Sequence, residues 1–147
     1  MKEIYTTILK AKANNQKLLA VLLDPEKLQY NAIKNVVSYI KNAPATHVFV
    51  GGSTFNGVHL DALIIEIKKH SNLPVILFPG DYKQVSNFAD GILFLSLLSG
   101  RNPDYLIEHQ VNAVPILAKT NLEVIPTAYL LIESGIETAV ERVSKTK

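Results

Sequence analysis

Two short stretches carry the residue types that could do chemistry. LLAVLLDPEK, from Leu18, ends an apolar run on Asp24, and HVFVGGST, from His47, ends a β-branched and aromatic run on Gly51, Gly52, Ser53 and Thr54. A carboxylate and hydroxyls are hard oxygen ligands. A partial set of them suits Mg²⁺, which keeps several waters and completes its octahedron with substrate phosphate oxygens. Paired glycines let a phosphate approach backbone N–H groups closely, and helix N-termini beyond such loops add positive potential. The pattern points to a metal-bridged phosphate or diphosphate. Two plainer uses stand beside it: an Asp-Pro pair after a strand is commonly a cap or turn, and Gly-Gly-Ser-Thr a tight turn.

Other charged residues fall near the same places. Lys27, Lys83 and Arg101 lie at or just past strand ends and could neutralise phosphate, although loop cations are usually just solvated. Asp81 and Glu133 share that ambiguity. His47, His59, His70 and His109 show no metal-ligand spacing, and surface or structural roles are expected of them. The chain has no cysteine, which excludes disulfides, thiolate zinc sites and cysteine nucleophiles, and fits a cytoplasmic address.

The elements that must position these residues are read from periodicity. Apolar runs beginning near positions 18, 47, 74, 90 and 123 have the length and composition of strands. The first reads as a strand buried on both faces, with Asp24 where it surfaces. Ile4 and Ile8 mark a modest amphipathic helix at the start of the chain. Leu28, Ile33, Val36, Val37 and Ile40, then Leu60, Leu63, Ile64 and Ile67, repeat at helical intervals. After PVILFPGD the pattern breaks: YKQVSNF is too short and too polar for a crossover helix, so one helix is missing. Asn102-Pro103-Asp104 is a strong helix start, with Asn as cap and Pro in the first helical position. GIETAVERVSKTK reads as a weak final helix or an irregular excursion.

Alternating strands and helices imply a parallel sheet in an α/β fold. Five strands suit an open doubly wound sheet, or the first part of a (β/α)₈ barrel of roughly 250 residues; periodicity alone does not choose. Either architecture gathers chemistry at the carboxyl ends of its strands. At 147 residues with 48% hydrophobic content, a single domain over residues 1–147 is expected. No apolar stretch approaches the roughly 18 residues of a membrane span. The formal charge of +2 is dispersed along the chain and not gathered in a stripe, which argues against nucleic acid as a partner.

Taken together, LDPEK, FVGGST, PVILFPGD, ADGILFLSLLSGRNP and EVIPTAYLLIESG, in this order over residues 18 to 135, resemble the geranylgeranylglyceryl phosphate synthase family, which includes the bacterial heptaprenylglyceryl phosphate synthases. The resemblance implies a (β/α)₈ TIM barrel whose third helix is replaced by a non-helical stretch. It implies Mg²⁺-dependent joining of sn-glycerol 1-phosphate to a polyprenyl diphosphate, usually geranylgeranyl diphosphate, through an ether bond. By the same resemblance Asp24 and Ser53 are the metal ligands, Gly51, Gly52 and Thr54 meet the substrate, and Tyr129 is a candidate for the wall of the prenyl groove. A core tyrosine with a satisfied hydroxyl is the plainer reading of Tyr129. Homo-oligomers, dimers or hexamers, are implied as well.

The chain also departs from that pattern. The later strands on which the family carries most of its glycerol-phosphate site have no counterpart, and a lysine that some bacterial members place two residues before the aspartate is Leu22. The expectation is therefore a partial barrel of about five strands, the N-terminal portion of a longer synthase. Subunit association is the alternative source of the missing strands. Two further readings compete: another phosphate-substrate barrel enzyme using an inward Lys or Glu base, and a non-catalytic remnant that binds prenyl phosphates or assembles with a partner.

Overall fold

Val75, Ile76 and Leu77 are the most deeply buried run in the molecule, at 0%, 0% and 1% exposure, and the sheet is built outward from them. A computed structural model describes residues 3–53, 58–132 and 135–146. Its strands are β1 (Ala20–Leu23), β2 (His47–Val50), β3 (Val75–Leu77), β4 (Gly91–Leu97) and β5 (Glu123–Tyr129). Its α-helices are α1 (Ile4–Ala13), α2 (Ile33–Asn42), α3 (Leu60–His70), α4 (His109–Leu117) and α5 (Ala139–Ser144). Every strand pair is parallel, and the order across the sheet is β1-β2-β3-β4-β5.

That order decides what periodicity left open. A doubly wound sheet reverses direction at a switch point, so its strand order is not sequential. Here each strand lies beside its successor throughout, as in an arc of a (β/α)₈ barrel. The fold is a partial barrel, as expected.

The alternation of side chains along each strand gives the sheet two apolar faces. On the outer face Leu23, Val48, Val50, Val75, Leu77 and Ile92 pack with Ile33, Val37 and Ile40 of α2 and Leu60, Leu63, Ile64 and Ile67 of α3. On the inner face Ile76 and Ile125 pack with Ile4 of α1, joined by Ile8, Phe49 and Leu93. Helix α1 thus covers the amino end of the strands, where a Cβ on Gly91 would come within 3.0 Å of Ile4 Cδ1. The Glu123 carboxylate fixes the helix there, accepting the N–H groups of Ile4 at 2.7 Å and Tyr5 at 2.8 Å.

Between β3 and β4, residues 78–90 form turns and no helix, so the third crossover is non-helical as the polar YKQVSNF stretch predicts. The Asn102 cap is also present: its Oδ1 accepts the Asp104 N–H at 3.1 Å. The first turns that follow are wound as a π-helix, Asp104–Glu108, before α4 continues. The final excursion is a helix, because Thr138 and Glu141 form a reciprocal capping box.

One expectation needs correction. β1 is not buried on both faces: Leu22 is 49% exposed, and Leu23 is the one buried residue of the strand. β1 lies at the edge of the sheet, and Leu22 points to the inner face, away from the helices that cover Val21 and Leu23.

Candidate functional site

The parallel register brings the chemistry-bearing residues side by side. Leu23 pairs with Val50, and Val50 with Leu77, so Asp24, Gly51 and Phe78 leave the sheet at one level. Asp24 closes a turn, its Oδ1 accepting the Glu26 N–H at 3.1 Å, while Oδ2 lies 3.1 Å from Lys27 Nζ. The Asp24 side chain remains about one-fifth exposed and reaches the surface of a cavity.

The β2 loop passes between this carboxylate and the β3 loop with no room to spare. A Cβ on Gly52 would stand 2.8 Å from Asp24 Oδ1, and one on Gly80 would stand 2.6 Å from Gly52 O and 2.8 Å from Ser53 Cα. Only glycine permits these approaches. Gln84, 1% exposed, bridges the two loops: its Nε2 donates to Gly52 O at 2.8 Å and its Oε1 accepts the Gly80 N–H at 3.2 Å.

The cavity holds about 260 Å³. Asp24, Lys27, Gly51, Gly52, Ser53 and Asp81 line it at the strand ends and Tyr105, His109 and Gln110 on the α4 side, and the rest is largely apolar, including Leu22, Phe78, Leu93 and Leu95, with Tyr129. Phe78 stands 5.7 Å from Tyr129 and 5.9 Å from Phe49, centroid to centroid, so an aromatic row crosses the inner face. A second aromatic group closes the opposite flank, where the His109 ring lies 4.8 Å from Tyr105 and 5.9 Å from Tyr82. Burial, and then the charges of Asp81 and Asp104, push the Tyr105 hydroxyl above its ordinary pKa, so it is a neutral donor at physiological pH. Val140 and Val143 of α5 complete the lining.

Of the residues singled out from sequence, Asp24, Gly51, Gly52, Ser53 and Tyr129 meet at this one cavity, with Lys27 and Asp81. Thr54 and Glu133 lie outside the described residues. Lys83 and Arg101 are not among the lining residues; Lys83 Nζ sits 5.6 Å over the Tyr82 ring. His70 pairs with Glu66 at 3.0 Å on the surface of α3, as expected. His109 packs its ring between Tyr82 and Tyr105 at the cavity wall. Gln84 and Tyr105 carry no sequence signal that separates them from ordinary loop and helix residues. The Thr138–Glu141 capping box was readable as T-x-x-E.

The donor set fits Mg²⁺. Among the described residues no three His, Asp or Glu side chains gather as a metal cage. One carboxylate and one hydroxyl at a cavity mouth match an ion that takes few protein ligands and fills its shell with water and phosphate. Among the described residues no helix is long and apolar enough to cross a membrane.

Residues 11–147 match the PcrB family. The geranylgeranylglyceryl phosphate synthase of Flavobacterium johnsoniae is 60% identical over 144 residues, 98% of this chain and 59% of that protein. The synthase of the same name from Zunongwangia profunda is 53% identical over 149 residues, 100% of this chain and 62% of that protein. A crystal structure of (S)-3-O-geranylgeranylglyceryl phosphate synthase from Thermoplasma acidophilum, in complex with substrate sn-glycerol-1-phosphate, superposes with a TM-score of 0.88 at 33% identity. That superposition covers 99% of this chain and 58% of that one. The chain thus spans about three-fifths of the length of these relatives. Strand-end motifs, sequential sheet order and matched length all agree: the chain belongs to the PcrB family.

Proposed function

We propose that these residues carry the metal and diphosphate half of a prenyltransferase site, in a protein that joins sn-glycerol 1-phosphate to a polyprenyl diphosphate of the geranylgeranyl class. The observation that carries this reading is the meeting of Asp24 and Ser53, from the carboxyl ends of adjacent parallel strands, at the mouth of a mostly apolar cavity. The names of the relatives, and the glycerol phosphate bound in one of them, support the substrate pair.

In this reading the Asp24 carboxylate and the Ser53 hydroxyl would hold Mg²⁺, which would supply charge neutralisation to the departing diphosphate. Gly51 and Gly52 let the β2 loop pack tightly against Phe78 and Asp24 and so form the wall beside which the diphosphate would lie, and Lys27, already beside Asp24, adds a positive charge at the rim. Phe78, Leu93, Leu95 and Tyr129 receive the prenyl chain and exclude water from its allylic end. The glycerol phosphate hydroxyl oxygen forms the new bond to the allylic carbon as the bond from that carbon to the diphosphate oxygen breaks. The hydroxyl proton is released and diphosphate leaves. A cytoplasmic homo-oligomer completes the proposal; Ile107, Val111 and Val114, at 59%, 60% and 55% exposure, give the fourth crossover an apolar outer stripe suited to a second copy.

Titration of geranylgeranyl diphosphate into the 147-residue chain, with and without Mg²⁺, tests this reading. Binding that requires Mg²⁺ is expected, weakened by more than about a hundredfold in Asp24→Asn, beyond the tenfold to hundredfold typical of outer-shell changes. Equal affinity in Asp24→Asn contradicts the assignment. Binding without product when glycerol 1-phosphate is added favours a binding remnant over an active transferase.

A further inference from the structure

Gln84 lies in the non-helical third crossover, where a regular βα repeat would place a helix, and its side chain is buried with both ends of the amide engaged. Its backbone N–H is also tied back, donating to Asp81 O at 3.0 Å. The two side-chain partners belong to different strand-end loops, Gly52 after β2 and Gly80 after β3. They are also opposite in kind: Gly80 offers an N–H and Gly52 offers a C=O. A neutral amide of this length presents one acceptor and one donor at the same time without carrying a charge. A carboxylate would set a buried negative charge against the Gly52 carbonyl, and an apolar residue would leave both backbone groups unpaired.

The position of this bridge gives it meaning. Gly52 is packed on one side against the Asp24 carboxylate and held on the other by Gln84, and Ser53 is the next residue along. Gly80, the other anchor, is in backbone contact with Ser53 itself. Whatever fixes the peptide of Gly52 fixes the direction in which Ser53 leaves it. Asp24 is set by its own turn, so the spacing between the two oxygen donors depends on the β2 loop.

We infer that Gln84 is a positioning residue: its amide clamps the Gly52–Ser53 loop against the β3 loop and thereby holds Ser53 Oγ at the distance from Asp24 that a divalent cation needs. The inference rests on the metal site proposed above and extends it to a residue that touches neither the ion nor the substrate. The non-helical segment turns this one amide inward to the strand ends.

The test is Mn²⁺ binding to the 147-residue chain, read by electron paramagnetic resonance of the free ion, with Mg²⁺ as competitor. Gln84→Met keeps the size and removes both hydrogen bonds. Its Mn²⁺ affinity is expected to fall by about tenfold to hundredfold, the range for lost outer-shell support. Val75→Ala, a core truncation at the other end of β3, is expected to lower the melting temperature and leave the affinity of the folded protein unchanged. A Gln84→Met protein that binds Mn²⁺ like the unsubstituted chain overturns the inference, as does an equal loss in Val75→Ala.

A measurement on the unsubstituted chain covers the case in which Gln84→Met does not fold. Coupling between sites is reciprocal, so saturating Mg²⁺ must slow hydrogen exchange at the Gly80 amide, and unchanged exchange overturns the inference. Asp24→Asn separates loss of the metal site from loss of the Gln84 clamp. Affinity that ignores Asp24→Asn contradicts the metal site itself and the inference with it. Affinity lost in Asp24→Asn yet kept in Gln84→Met contradicts the role of Gln84 alone.

Discussion

Asp24 serves two purposes with one carboxylate. Oδ1 takes the Glu26 N–H and closes the turn that ends β1, which realises the plain reading of Asp-Pro, while the same side chain pairs with Lys27 through Oδ2 and lines the cavity, where the proposed metal role would use it. Such strand-end residues could be recognised from sequence because a carboxylate or hydroxyl interrupts a run of Leu and Val. Gln84 could not: within YKQVSNF it is one polar residue among several, and its burial depends on two loops that are distant in sequence.

His47 couples burial to pH. It is buried at 6% exposure with Nδ1 2.8 Å from Thr46 Oγ1, and burial pushes its pKa below the ordinary 6.5. The folded chain therefore keeps the ring neutral over a pH range in which the unfolded chain protonates it. The stability this contributes is fully present above the unfolded value and is lost as pH falls through about 6.5 toward the lower folded value. Urea unfolding at pH 7.5 and 5.5 should show a smaller loss of stability in His47→Gln than in the unsubstituted chain; equal losses would remove His47 as the cause.

Among the elements, α1 depends most on a single distant residue. Its amphipathic character is weak, its N-cap position is Glu3 with no side-chain cap bond, and its first two N–H groups donate instead to Glu123 at the start of β5. These are charge-assisted bonds at the positive end of a helix. Glu123→Ala should cost about 1–2 kcal/mol of stability, the upper range for a lost cap. The amides of α1 should then exchange faster, while those of β3 keep their order of protection. Unchanged protection in α1 would mean that Ile4 and Ile8 hold the helix without help. Periodicity found this helix through Ile4 and Ile8 but could not reveal its cap, because a partner more than a hundred residues away leaves no local pattern. The same limit explains β1: its composition suits full burial, but in an edge strand Leu22 points to the inner face, away from the helices that cover Val21 and Leu23, and stays exposed.

For the molecule as a whole, alternation of strand and helix was enough to establish a parallel α/β sheet, and the break at YKQVSNF marked the absent third helix. Choosing between a barrel arc and a doubly wound sheet required strand order, which no single segment encodes. The sequential order has a direct chemical consequence: the loops after β1, β2 and β3 lie in a row, and the row ends in one cavity instead of opening onto two sides of a sheet. At the head of that row Asp24 and Ser53 are proposed to grip a divalent cation. Crystals of the chain soaked with Mn²⁺ and inorganic pyrophosphate test it most directly, through the anomalous signal of the metal. A peak is expected about 2.1 Å from both an Asp24 carboxylate oxygen and Ser53 Oγ, the spacing of octahedral Mg²⁺ sites, with pyrophosphate oxygens completing the shell. A peak bound elsewhere, or one touching Asp24 with Ser53 turned away, would contradict it.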